Sequence, residues 1–488
     1  MDYRQLSRVL GLMLMLMAVS MVACLAYAII DNEPREVADR ALGLSALVTT
    51  GAGALLFFLG RGGGREILRR EAIAIVGLGW TVCTLFGALP YMWSEPALSP
   101  AAAIFESASG FTTTGSSAMR DIEVFPRGIL LWRATTQWLG GMGILVLVVA
   151  VLSMVGAGSK SLFRRESSAQ FGEGFSTRVR DTALRLWQIY VGLSIACTVG
   201  LIVLGMPVFD AVCHAFATVS TGGFGTRNAS IAYYQSPAIE WWLILFMILG
   251  AVNFMLYAWL LARRWSRWET DEETRAFLWI LLGASLLITA DLLYFGRMEE
   301  LFGCFRTSAF QVVSIMTTTG FVTADFNEWP NFSRGVLVAL MFIGGCAGST
   351  AGGVKVIRVL AFFKTVHRQM VHSFRPNQII PVRLNGTVVT DSYLLDAMFF
   401  LSLTAGIVAA GTLAMTVLEP GLTLVSSFTA VTATLFNVGP GLDAVGPASN
   451  FAGISAPGHL LLSALMIMGR LEFFAVLVLF VPRLWSRY

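Results

Sequence analysis

Four short polar segments of this chain end in glycine. They read Phe111-Thr112-Thr113-Thr114-Gly115, Val219-Ser220-Thr221-Gly222-Gly223, Met316-Thr317-Thr318-Thr319-Gly320 and Phe436-Asn437-Val438-Gly439-Pro440. They recur at intervals of roughly 100 residues, each between two long apolar runs. Glycine accepts positive φ, so successive carbonyls can be turned the same way. One such segment alone would read as an ordinary turn. Four, each in the same place within a two-span unit, can close a ring about one axis, and a ring of inward carbonyls can replace the hydration shell of a cation.

The elements that must position such a ring are helices in a membrane. The chain has 488 residues, 56% hydrophobic and 13% charged, with a mean hydropathy of +0.71. A soluble domain carries roughly 25% charged residues, so the composition excludes that class. The formal net charge of +4 is small and matters through its placement. No nucleic-acid partner is expected. The run from Val9 to Ile30 lacks a small-residue cleavage site and is read as a retained first span. Six cysteines (Cys24, Cys83, Cys197, Cys213, Cys304, Cys346) are scattered through apolar runs as buried free thiols, without CxxC or metal spacing. The four histidines are too dispersed for a zinc site. Gly439 to Ala444 formally fits GxGxxA, but no strand precedes it, so any nucleotide must bind a partner. No cofactor is expected in this chain.

Ten apolar stretches are long enough to cross: 9–30, 42–60, 72–94, 128–153, 183–205, 238–262, 276–295, 334–363, 392–418 and 457–481. Basic residues cluster after the even-numbered spans: Arg61, Arg65, Arg69 and Arg70; Lys160, Arg164, Arg165, Arg178 and Arg180; Arg263, Arg264, Arg267 and Arg275; Lys364, Arg368, Arg375 and Arg383; Arg483 and Arg487. The positive-inside rule makes that side, with both termini, cytoplasmic. After two N-terminal spans (1–71), the order span, pore segment, span repeats four times, over 72–158, 159–265, 266–375 and 376–488. Each pore segment opens with a stretch long enough for a half-length helix, whose C-terminal carbonyl end favours a cation at the pore centre. Glu106 and Asp210 lie near these helices. They either concentrate cations or complement helix ends.

Each span after a pore segment carries a glycine or polar interruption: Gly140-Gly141-Met142-Gly143, Gly250 with Asn253, the run from Gly344 to Gly353, and Gly469. The third holds five glycines in ten residues (Gly344, Gly345, Gly348, Gly352, Gly353). Each costs a helix roughly 1 kcal/mol relative to alanine, so the eighth span should break there. Its loop would lie just cytoplasmic to the carbonyl ring, with the Ser349 and Thr350 hydroxyls satisfying nearby backbone. Arg470 sits in the middle of the last span, where an arginine costs about 2.5–3.5 kcal/mol. Glu472 does not share its helix face, so the carbonyls of the broken span are the expected partners. Lys355 either joins this group or snorkels to the cytoplasmic surface.

With these four segments, the glycine-rich break and Arg470, the chain resembles the Trk/Ktr/HKT superfamily of potassium transporters over residues from about 72 to the C-terminus. Its two extra N-terminal spans are similar to the bacterial Trk type. The resemblance implies an all-α polytopic membrane protein of four covalently linked span–pore loop–span repeats around a pseudo-fourfold pore in the bacterial inner membrane. It implies that Gly115, Gly222, Gly320 and Gly439 are the selectivity-filter glycines, with Thr113, Thr114, Ser220, Thr221, Thr318, Thr319, Asn437 and Val438 supplying neighbouring carbonyls to K+. The run Gly344, Gly345, Gly348, Ser349, Thr350, Gly352 and Gly353 corresponds to the family's intramembrane gating loop, and Lys355 and Arg470 to its basic residues. Asn437-Val438-Gly439 departs from the Thr-x-Gly pattern. A serine at the first filter glycine goes with sodium transport in the family; Gly115 implies potassium. The resemblance also implies a homodimer that pairs with a cytosolic nucleotide-binding regulatory ring, for which the basic loops carrying Lys160, Arg164, Arg165, Lys364, His367, Arg368 and Arg375 are the docking candidates. The rivals are a proton- or sodium-coupled symporter, which needs a mid-membrane carboxylate such as Asp291, Asp396 or Glu472, and a polytopic membrane enzyme, which needs clustered acids or histidines on the spans.

Overall fold

The long apolar runs become helices whose outer faces stay apolar, the inverse of a soluble protein. Val19, Val203, Trp279 and Leu287 all stand exposed on span surfaces. In the computed structural model, residues 2–62, 69–143, 179–297 and 300–485 are described. Among the described residues, six helices are long and apolar enough to cross a membrane: Tyr3–Ile30, Arg35–Leu59, Glu71–Trp93, Ala183–Val203, Glu272–Tyr294 and Asp391–Leu418. A bent pair, Pro237–Ala251 and Phe254–Leu261, makes a seventh. Among the described residues the only strands form a two-residue hairpin, Arg383–Leu384 with Thr387–Val388. All six cysteines are buried and free.

Four shorter helices follow the entry spans: Pro100–Phe111, Val208–Val219, Leu301–Met316 and Leu424–Leu435. At 12, 12, 16 and 12 residues they reach about 18–24 Å, short of the ~30 Å hydrocarbon core. They are largely enclosed. Ser107, Ser109, Ser308, Gln311, Thr432 and Thr434 are buried on them, which marks a polar interior rather than a lipid contact.

After each half-length helix the chain turns back in a return helix: Arg127–Gly141, Pro237–Ala251, Asn331–Ile343 and Ala456–Arg470. Proline sits at or beside every start (Pro126, Pro237, Pro330, Pro457), where its missing N–H costs nothing. The sequence predicts a full break in the third of these alone. The structure breaks the second and fourth as well, so the spans expected at 238–262 and 457–481 are not continuous helices. The second bends by 91°, because Asn253 accepts from the Met255 N–H and starts a new helix. The fourth ends at Arg470, with Glu472 and Phe473 at φ of 54° and 62°. The third stops at Gly344, φ 76°, and resumes as Val356–Phe374. In the first the helix ends at Gly141 and the second half of the 128–153 span lies outside the described residues, as do Arg65, Lys160, Arg164, Arg165, Arg178 and Arg487.

Glycine at these ends permits close approach. A Cβ on Gly140 would stand 1.9 Å from the Phe111 carbonyl oxygen, one on Gly250 3.1 Å from that of Val219, and one on Gly469 1.7 Å from that of Leu435. In three repeats, then, the return helix is seated against the C-terminal carbonyls of its own half-length helix.

Candidate functional site

Each half-length helix ends one residue before a capping position, and the next residue turns left-handed. Those residues are Thr113, Thr221, Thr318 and Asn437, with φ of 55°, 54°, 58° and 57°. Two residues further on a glycine is left-handed too: Gly115, Gly223, Gly320 and Gly439, with φ of 87°, 75°, 81° and 106°. This corrects the second segment by one residue. Gly223 is the equivalent of Gly115; Gly222 corresponds to Thr114, and Ser220 is the capping residue, like Thr112 and Thr317.

The four segments touch in a cycle. A Cβ built on Gly115 would lie 2.3 Å from the Gly222 carbonyl oxygen; on Gly223, 1.8 Å from that of Thr319; on Gly320, 2.3 Å from that of Val438; and on Gly439, 3.0 Å from that of Thr114. Every glycine therefore packs on the carbonyl preceding the glycine of the next repeat, and the fourth returns to the first. Positive φ opposes a side chain at all four positions, and at Gly115, Gly223 and Gly320 a Cβ would also force the facing backbone to shift. Above the ring lies a cavity of ≈ 160 Å³ lined by all four glycines.

Side chains fix the ring from outside. Ser116 Oγ donates to the Gly439 carbonyl at 2.7 Å and Asn437 Nδ2 to Thr114 Oγ1 at 2.8 Å. The Asn437 amide thus joins the fourth segment to the first, which explains how a non-threonine serves at that position. Arg133, to which the sequence assigns no role, lies near the start of the 128–153 span, where a charge inside an apolar run needs a partner. It is fully buried and pairs with Glu106 at 2.7 Å, donates to the Gly225 carbonyl at 3.0 Å and lies 3.9 Å from the Phe224 ring centroid. Glu106 also accepts from the Ala118 N–H at 2.8 Å. Its partners all lie in the first repeat, and Arg133 carries the link to the second. Asp210 is buried, accepts from Thr226 Oγ1 at 2.8 Å and faces Arg227 at 3.7 Å.

Below the ring sits the loop between Ile343 and Val356. Thr350 Oγ1 donates within reach of two carbonyls, Val219 at 3.0 Å and Gly250 at 2.9 Å. The Gly352 N–H donates to Thr318 Oγ1 at 2.7 Å, and a Cβ there would meet Asn437 Cβ at 3.1 Å. The loop thus lies directly against the left-handed residues of repeats three and four. Ser349 Oγ folds back on the Cys346 carbonyl. Glu273, buried at the end of the Glu272–Tyr294 span, accepts from the Ala347 and Ile357 N–H groups at 2.7 and 3.1 Å. Arg470 donates to the Thr350 carbonyl at 2.7 Å and to Gly140 and Gly141 at 2.9 and 3.1 Å. It crosses from the fourth repeat to the loop and to the end of the first return helix. Lys355 is buried, with Nζ on the Ala351 carbonyl, so it does not snorkel. Glu472 pairs with Arg358 at 2.5 Å.

Apolar spans, four re-entrant half-length helices and a closed ring of backbone at their tips define a multi-pass membrane protein of the pore-loop class. Residues 45–487 match the TrkH family, described as a cation transport protein. The chain is 37% identical over 489 residues to the Trk system potassium uptake protein TrkH of Salmonella typhimurium, covering 99% of this chain and 100% of that one. It is 32% identical to the Trk system potassium uptake protein TrkI of Halomonas elongata, covering 98% and 96%. The crystal structure of the potassium transporter TrkH from Vibrio parahaemolyticus superposes with a TM-score of 0.89 at 34% identity over 100% of both chains. The chain belongs to the TrkH family of cation transport proteins.

Proposed function

We propose that this chain takes up potassium across the bacterial inner membrane through the carbonyl ring, which serves as its selectivity filter. The observation that carries this reading is the cyclic packing of Gly115, Gly223, Gly320 and Gly439 on one another's neighbouring carbonyls. Carbonyls of Thr114, Gly222, Thr319 and Val438, with those of the residues flanking them, take the place of water around a dehydrated ion. The half-length helices aim their negative C-terminal ends at the same axis. The segment from Gly344 to Gly353 is the gate, held closed by Arg470 and Lys355. Both termini are cytoplasmic, the chain acts as a homodimer, and a cytosolic nucleotide-binding ring sets the open fraction. The four repeats divide near residues 158, 265 and 375.

A coupled symporter needs a titratable carboxylate in the path. Of the candidates, Glu472 pairs with Arg358, Asp291 accepts from Ser333 at 2.5 Å, and Asp396 is exposed near the start of the Asp391–Leu418 helix, which favours a channel-like route. The test is rubidium and sodium flux into liposomes holding the purified chain, with and without a pH gradient. Gly115→Ser adds a side chain facing the Gly222 carbonyl, and the potassium-to-sodium ratio should fall by roughly tenfold or more, about 1.4 kcal/mol of discrimination. An unchanged ratio in folded protein removes the filter assignment, and uphill flux driven by pH removes the channel reading.

A further inference from the structure

At the level before each ring glycine the repeats carry Thr114, Gly222, Thr319 and Val438. In the first and third repeats the threonine hydroxyl at this level meets that of the residue two earlier, Thr112 with Thr114 and Thr317 with Thr319, both at 2.7 Å. The second repeat has no side chain there, and its space is filled from another repeat. A Cβ on Gly222 would stand 2.4 Å from Gln137 Cδ. Gln137 lies on the first return helix and is fully buried. Its Nε2 donates to the Gly222 carbonyl at 2.5 Å and its Oε1 accepts from the Phe224 N–H at 3.0 Å. One amide therefore spans both flanks of Gly223.

Resting on the reading of the ring as a selectivity filter, we infer that Gln137 is a specificity-determining positioning residue, an inserted side chain that completes the second filter segment and tunes its field. The donor on the Gly222 oxygen draws negative potential away from the ion path at one of four quadrants. A weaker-field oxygen disfavours sodium more than potassium, because the smaller ion gives up more hydration energy on entering. The acceptor on Phe224 fixes the segment just after the left-handed glycine. Gly222 is kept as glycine by the amide rather than by its backbone, since its φ lies outside the left-handed region, unlike that of Gly223.

The test reads the potassium-to-sodium flux ratio in liposomes for four forms, with Gly115→Ser as the control for the filter itself. Gln137→Leu keeps the volume and removes both hydrogen bonds. Its ratio should fall roughly tenfold, the scale of one buried hydrogen bond left unmade. Gly222→Thr alone drives the amide out and should fall similarly. Gly222→Thr combined with Gln137→Ala gives the second repeat the arrangement of the first, with the new hydroxyl facing Ser220, and should recover most of the ratio. A packing role alone does not predict that recovery. If Gly115→Ser shifts the ratio while folded Gln137→Leu leaves it at the parent value, this inference is lost and the filter reading survives. If neither shifts it, both fall. If Gln137→Leu does not fold, the pair decides: a ratio no better than that of Gly222→Thr alone overturns the proposal.

Discussion

At the scale of single residues, two arginines flank the ring, a buried Arg133 above it and a half-buried Arg470 below. Arg470 joins three carbonyls with a planar, multi-donor group. Arg470→Ala should raise resting flux in liposomes. Arg470→Lys keeps charge and loses the fork. A leaky lysine variant supports a hydrogen-bonded latch, a tight one an electrostatic barrier, and unchanged flux in both ends any gating role. Arg133 is different, because its partner is a carboxylate with side-chain exposure of 1% and 0% for the pair. Arg133→Met leaves Glu106 buried without its counter-charge and should cost about 3–5 kcal/mol. Adding Glu106→Gln should return much of the loss in thermal stability; a double variant as unstable as the single one would count against the brace. The sequence exposed Arg470 because a mid-span charge stands out beside glycine. Arg133 hid near a span end among polar neighbours, and only its partner Glu106, 27 residues away, shows why it is there.

At the scale of elements, the half-length helices were legible from their position between apolar runs, and the break in the eighth span from five glycines. The breaks in the other return helices were not, because a single glycine costs only ~1 kcal/mol, which packing overrides. In the second, Asn253 satisfies freed backbone by capping a new helix, and Arg470 takes up the last carbonyls of the first, Gly140 and Gly141. The one-residue slip in the second segment has a similar origin. Two adjacent glycines, Gly222 and Gly223, read alike in sequence, and only the end of the Val208–Val219 helix fixes which one turns left-handed. The packing of return helices on half-length helices can be tested directly. Gly469→Ala pushes a methyl into the Leu435 carbonyl and should lower the melting temperature in detergent, with a cost of at least 1–3 kcal/mol. Gly283, in the Glu272–Tyr294 span with nothing near its missing Cβ, should accept alanine without loss. Equal melting temperatures for the two variants would refute the close-approach argument.

At the scale of the whole molecule, the basic segments are partly committed to the protein itself. Lys364 pairs with Glu272 and Arg368 with Asp391, while His367 and Arg375 are exposed on the same segment. If a nucleotide-binding regulator docks here, Arg375→Glu should reduce its recovery in pull-downs from native membranes. Repeated failure to recover any such protein with the unaltered chain would sink the idea. The charge pattern made this face visible, but ion pairs within it are long-range and could not be read from spacing. The cyclic contact of four glycines has one more consequence. In an assembly of four identical subunits, a change of one codon alters every quadrant at once. Here the quadrants are written separately along one gene, so each can diverge alone, and the ring has four different walls rather than one wall repeated. Inherited variation can therefore reshape one quadrant at a time, and the Gln137 amide set beside Gly222 differs from anything in the other three.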